Sequence, residues 1–161
     1  MSYQSKRTIV SIAAGVLLFT AYAVYALGER APAPDNLRAW SATMLAFIGI
    51  GVVMIITVQI AFHIAFAIGI AVKENERDDT RIKRIFSVST HEDEREKLIK
   101  LKSSRIGYTC AGLGFITALA TLALGCQTVT ALHILLGACA LGSVAEGAVS
   151  VYFYEKGVRN G

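Results

Sequence analysis

Residues 106–154 are 49 positions holding a single Asp, Glu, Lys or Arg, Glu146. A run this long without charge does not belong to a water-soluble domain. A helix crosses the roughly 30 Å hydrocarbon core of a bilayer with about 20 apolar residues, so 49 residues make two crossings. The one turn-like interruption is Gly125-Cys126-Gln127-Thr128, which predicts helices over 106–125 and 130–154.

Two further apolar runs precede this one. Residues 8–27 give a 20-residue span, with Lys6 and Arg7 before it and Glu29 and Arg30 after it. Residues 39–72 form a run of 34, about 51 Å at 1.5 Å per residue. That is too long for one upright crossing and too short for two joined by a turn. It predicts one tilted or protruding helix over 41–72, entering near Trp40, with Gly49 and Gly51 as bend or close-packing points. The total is four. Apolar residues are 54% of the chain, charged residues 17%, and the mean hydropathy is +0.52, so the two kinds are segregated. Such segregation excludes a soluble globular domain, a disordered chain and an enzyme built around a large aqueous domain. The expected fold is all-α, a four-transmembrane-helix bundle forming one membrane domain over 1–161.

Lysine and arginine orient the bundle. Two lie before residue 8, ten in the loop 73–105 and two after residue 154, against Arg30 and Arg38 alone in the other connections. Both termini and the charged loop are therefore expected in the cytoplasm. Tyr25 and Trp40 mark the outer boundary, and Tyr108, Tyr152 and Tyr154 the inner one. The competing reading of the first span is a cleaved signal peptide, with Lys6-Arg7 as its basic start and Ala21-Tyr22-Ala23 or Ala31-Pro32-Ala33 as cleavage sites. The run is longer than a usual signal core, which favours a retained helix. Cys110, Cys126 and Cys139 have no metal-ligand spacing. Cys126 alone faces the outer side, open to an intermolecular disulfide, while Cys110 and Cys139 read as small buried packing residues.

The loop 73–105 carries ten basic and eight acidic residues, a mixed polyampholyte rather than a nucleic-acid patch. Residues 73–79 should prolong the second helix. Arg81-Ile82-Lys83-Arg84-Ile85-Phe86 reads as a connector helix at the lipid headgroups, or alternatively as a protein-docking motif. Thr90-His91-Glu92-Asp93 fits a capping box, so a helix should start near His91 and run through Arg105 into the third span. Asp93 with Lys97 and Glu96 with Lys100 are ordered i,i+4 pairs. The acids beside His91 are explained by capping, and no metal site is expected. The docking candidates of this segment are Asp93, Glu94, Arg95, Lys97 and Lys100.

The segment Asp93-Glu94-Arg95, with Ile99 and Lys102 following, resembles a family of small four-span bacterial membrane proteins that carry Asp-Glu-Arg-x-x-x-Ile-x-x-Lys/Arg immediately before the third helix. The closing Tyr152-Phe153-Tyr154-Glu155-Lys156-Gly157 is similar to their aromatic, basic, glycine-terminated end. The resemblance implies the four-span layout and a bacterial inner-membrane location, and an association of such genes with small transcription regulators. It brings no established activity.

Within the spans, Ala138/Gly142 and Ser143/Gly147 are small-x-x-x-small pairs that let backbones approach, as do Ala111, Gly112 and Gly114 in the third helix. The costly residues at membrane depth are Gln59, His63, His133 and Glu146. A haem held between His63 and His133 fails on depth, because the two differ by 13 residues from the inner boundary, about 20 Å. His133 reads as a polar residue near the outer headgroups. Glu146 and His63 have the same offset from the inner charges, so Gln59 and His63 on the second helix and Ser143 and Glu146 on the fourth are expected to form an intramembrane polar patch. A small multidrug transporter would place its glutamate in the first helix, where this chain has none. No phosphate loop, nucleophile elbow or zinc motif occurs.

These observations point to a non-enzymatic accessory or regulatory membrane protein whose cytoplasmic loop docks a soluble partner. The alternative is a small proton- or cation-coupled transporter using Glu146 and His63, functioning as a homodimer. No cofactor is expected, and the partners are the lipid bilayer, a cytoplasmic protein and a second copy of the chain.

Overall fold

The computed structural model describes residues 3–74 and 94–157, and these form four helices without a strand. Helix α1 is Tyr3–Leu27, α2 is Leu37–Glu74, α3 is Glu94–Ala123 and α4 is Thr128–Lys156. All four are long and apolar enough to cross a membrane. Their outward faces are apolar too: Leu17, Leu45, Leu101 and Leu141 are each more than 60% exposed. An assembly with so little apolar area hidden is at home in hydrocarbon, where helices satisfy every backbone group internally.

The helix ends differ from the sequence expectations for local reasons. Apolar length marks only the hydrocarbon crossing, whereas α1 already starts in the polar turn at Tyr3. Helix α2 starts at Leu37 because the Asn36 side-chain oxygen accepts the Ala39 N–H at 3.0 Å, a side-chain cap on an exposed donor. Helix α3 stops at Ala123 because Gly125 takes φ 80°, a conformation that glycine adopts without strain. The capping box at 90–93, the connector at 81–86 and the prolongation beyond Glu74 lie outside the described residues.

Helices α3 and α4 share the largest interface, α1 lies against α4, and α2 packs on α1 while meeting α4 only sparsely. Small residues account for the α3–α4 contact. A methyl group at Gly114 would collide with the Ala138 side chain, and one at Gly142 would meet the Gly107 carbonyl at 3.0 Å. Gly147 instead serves α1, where a methyl group would meet Ile12 Cγ1 at 2.5 Å. Cys110 sits beside Gly142 in the interface, but Cys139 is exposed rather than buried. All three cysteines are free thiols.

The α1–α2 register explains the excess length of α2. Tyr22 meets Phe47 with ring centroids 5.2 Å apart, and Leu18 abuts Gly51. In both pairs the residue numbers sum to 69, the constant of an antiparallel register. Tyr3 is therefore level with Phe66, and α2 runs on for eight more residues to Glu74, about 12 Å. The long helix protrudes alongside its neighbour.

Candidate functional site

The end of the bundle where α1 begins and α4 ends is a polar ring organised by the first turns of α1. The Ser5 side chain is wholly buried, and its hydroxyl donates to Glu155 Oε1 on α4 at 3.0 Å. Gln4 Nε2 donates to Glu96 Oε2 on α3 at 3.4 Å. Arg7 Nη2 donates to Gln59 Oε1 on α2 at 2.7 Å. Thus α1 touches each of the other helices through one polar side chain. Beside them Tyr154 shares a hydrogen bond with Ser150, which is itself buried.

Helix α3 enters this ring as a continuous rod. Ile99 is 0% exposed and Ser103 2%, and the Ser103 hydroxyl donates to the Ile99 carbonyl at 2.9 Å. One face of the charged stretch is thereby sunk into the bundle, and Glu96 on it is held by Gln4. Glu94, Arg95, Lys97 and Lys100 are exposed on the remaining surface. Asp93, the fifth docking candidate, lies outside the described residues.

The members of the intramembrane patch have separate engagements. Gln59 accepts from Arg7. Ser143 is exposed, and its hydroxyl donates to the Cys139 carbonyl at 3.0 Å, the usual way a helical serine satisfies itself in an apolar setting. Glu146 is half-buried against α3, and its Oε2 lies 2.5 Å from where a Cβ on Gly107 would stand. Among the described residues no hydrogen bond or ion pair reaches this carboxylate. His63 is half-buried on α2, one turn beyond Gln59 toward the charged end. The described contacts do not draw the four residues into one cluster, and α2 and α4 meet only sparsely while α1 packs on both.

The opposite end closes on aromatic residues. Tyr22, Trp40, Met44 and Val129 are buried there, with Phe19 and Phe47 packed around them. Trp40 Nε1 donates to the Ala33 carbonyl at 3.1 Å, pinning the connection between α1 and α2. His133 donates from Nδ1 to the Val129 carbonyl at 2.8 Å and sets its ring edge-on to Trp40, centroids 4.6 Å apart. It is a packing residue of this cluster, far along α4 from Glu146. The Tyr22 hydroxyl is buried and has no hydrogen-bond partner among the described residues.

The residues the sequence did not single out are Gln4, Ser5 and Arg7. Their signal was visible as a polar row inside the helical reach of the first span, although it read there as no more than a basic flank. Compared with known proteins, the chain matches no family model, no curated protein and no solved structure.

Proposed function

We propose that this chain is a non-enzymatic accessory or regulatory protein of a bacterial inner membrane, with both termini cytoplasmic, and that the start of α3 docks a soluble partner. The reading rests chiefly on one observation. Ile99 is wholly buried while Arg95 and Lys97 on the same turns are exposed, so the charged surface is presented on a fixed rod. A pre-ordered surface loses little conformational entropy when a partner binds, which is what a docking platform requires. The bias of basic residues toward the termini and the 73–105 loop supports the cytoplasmic orientation.

The test is site-specific photocrosslinking in intact cells from residue 97, with a probe at lipid-facing Leu119 as control. A discrete adduct of constant mass should form at 97 alone and disappear when Arg95→Glu is added. Adducts only at the mass of a homodimer, or equal labelling from both positions, would overturn docking. Reversal of Glu96 is avoided because Gln4 holds it.

The transporter alternative draws on Glu146, a carboxylate within an apolar run and without a described partner. Intramembrane ionisable residues commonly mark ion paths. Its other half, a Glu146–His63 pair, would join two helices that meet only sparsely and is the weaker proposal.

A further inference from the structure

An open-sided groove of about 1280 Å³ runs along the lateral face of α1, with α4 flanking it at the Ile9 end. Ile9, Ala13, Val16 and Val24 line it from α1, and Ala148 and Val151 from α4. From Ile9 to Val24 it spans 15 residues, about 22 Å, more than the roughly 15 Å depth of one hydrocarbon leaflet. Thr20 and Tyr25 are its polar lining residues, and the Thr20 hydroxyl is already bonded to the Val16 carbonyl at 2.8 Å. Such a wall offers a ligand dispersion contact and almost no hydrogen bonding. What fits is an extended hydrocarbon chain.

The two mouths of the groove differ in charge. At the end carrying the termini, Lys6 is exposed one turn before Ile9, in a helical row with Ala13 and Thr20 at seven-residue spacing. On α4 the i,i+4 row from Ala148 leads to Tyr152 and then Lys156, whose Nζ lies 5.2 Å above the Tyr152 ring. Tyr152 is 54% exposed, so its ring and the folded lysine stand at the groove's flank. The neighbouring Glu155 carboxylate accepts from the Ser5 hydroxyl, which holds it toward α1. At the other mouth stand Tyr25 and, just beyond the helix, the adjacent opposite charges Glu29 and Arg30. Two exposed lysines thus flank one mouth only, at the depth where a headgroup phosphate lies when its acyl chain fills the groove.

We propose that the α1–α4 groove, with Lys6 and Lys156 at its mouth, is a binding site for one anionic glycerophospholipid. The acyl chain packs along Ile9 to Val24, and the phosphate sits between the two ammonium groups. The attraction of anionic headgroups to each such lysine corresponds to about fivefold in occupancy. Discrimination comes from the net negative charge of the headgroup, since a zwitterionic lipid fills the same groove without that gain.

The experiment is native mass spectrometry of the full-length protein released from nanodiscs of equal parts phosphatidylglycerol and phosphatidylcholine. The wild-type chain should retain phosphatidylglycerol about fivefold or more over phosphatidylcholine. Lys6→Ala with Lys156→Ala should abolish the preference while lipid is still retained. Arg105→Ala, which removes an exposed cation on α3, should leave it unchanged. Ala13→Trp fills the groove from an exposed position and should reduce the total lipid retained, with an unchanged circular dichroism melt showing that the bundle is intact. No preference in the wild type would overturn the proposal. So would a preference that survives the double lysine change, or that falls equally with Arg105→Ala. Unchanged retention in Ala13→Trp would remove the groove as the seat.

Discussion

The Ser5 hydroxyl donates to the Glu155 carboxylate at 3.0 Å, so residues 150 positions apart join the first turn of α1 to the last turn of α4. Ser5 is fully buried while Glu155 is exposed, which places the bond at the edge of the packed interior. It is one of three polar links from the start of α1 to the other helices, and the partners in the other two are Gln59 and Glu96.

Ser5→Ala should lower stability by about 1 kcal/mol, the value of an ordinary hydrogen bond rather than of one to a desolvated charge, because water screens Glu155. In a detergent thermal scan this is a Tm decrease of about 2–4 °C. Glu155→Gln retains an acceptor and should cost less. A double-mutant cycle showing no coupling between the two positions would mean that the bond contributes nothing.

The α3–α4 glycines should rank by what stands opposite them. At Gly114 an added methyl group meets the Ala138 side chain on a neighbouring backbone, which cannot retreat. Gly114→Ala is therefore expected to cost about 1–3 kcal/mol, and Ala138→Gly in the same chain should restore most of it. At Gly107 the obstacle is the mobile end of Glu146, so Gly107→Ala should be cheaper, and cheaper still combined with Glu146→Ala. Equal losses at both glycines would contradict the close approach seen here.

Gly15 and Gly49 have no neighbouring atom within 4 Å of an added Cβ. Alanine at either should be tolerated and, by helix propensity, should add up to about 1 kcal/mol. A fall in melting temperature at either position would indicate a contact with a further helix on that face.

Tyr22→Phe removes a hydroxyl that is buried without a partner among the described residues, and keeps the ring contacts to Phe47 and His133. The expected result is an unchanged or higher melting temperature, by about 1 kcal/mol at most. A clear decrease would reveal a polar group or water bound to that oxygen.

Because Ser5 meets Glu155, the start of α1 and the end of α4 lie at one end of the bundle. Alkaline phosphatase fused at residue 33 should be active and fused after Gly161 inactive. Activity of the second fusion would reverse the proposed orientation.

The four crossings were legible in the chain because crossing a bilayer is a property of length and polarity along one dimension. The 49-residue run with Glu146 alone, and the charges that bracket 8–27, mark segments that gain by leaving water whatever they touch afterwards. The small residues of α4 likewise announced close packing. Which helix they would face was not written in the pattern. Lipid tails are as apolar as leucine, so hydrophobicity does not select one helical face over another, and the choice falls to shape and to a few polar side chains. Only the tertiary structure shows that Gly147 receives Ile12 of α1 while Gly142 receives α3. Only there does Arg7 take up Gln59, does Glu146 lie in the notch left by Gly107, and does α2 outrun α1 by about two turns. Depth follows from the sequence by counting 1.5 Å per residue, whereas lateral neighbourhood is decided by which surfaces fit.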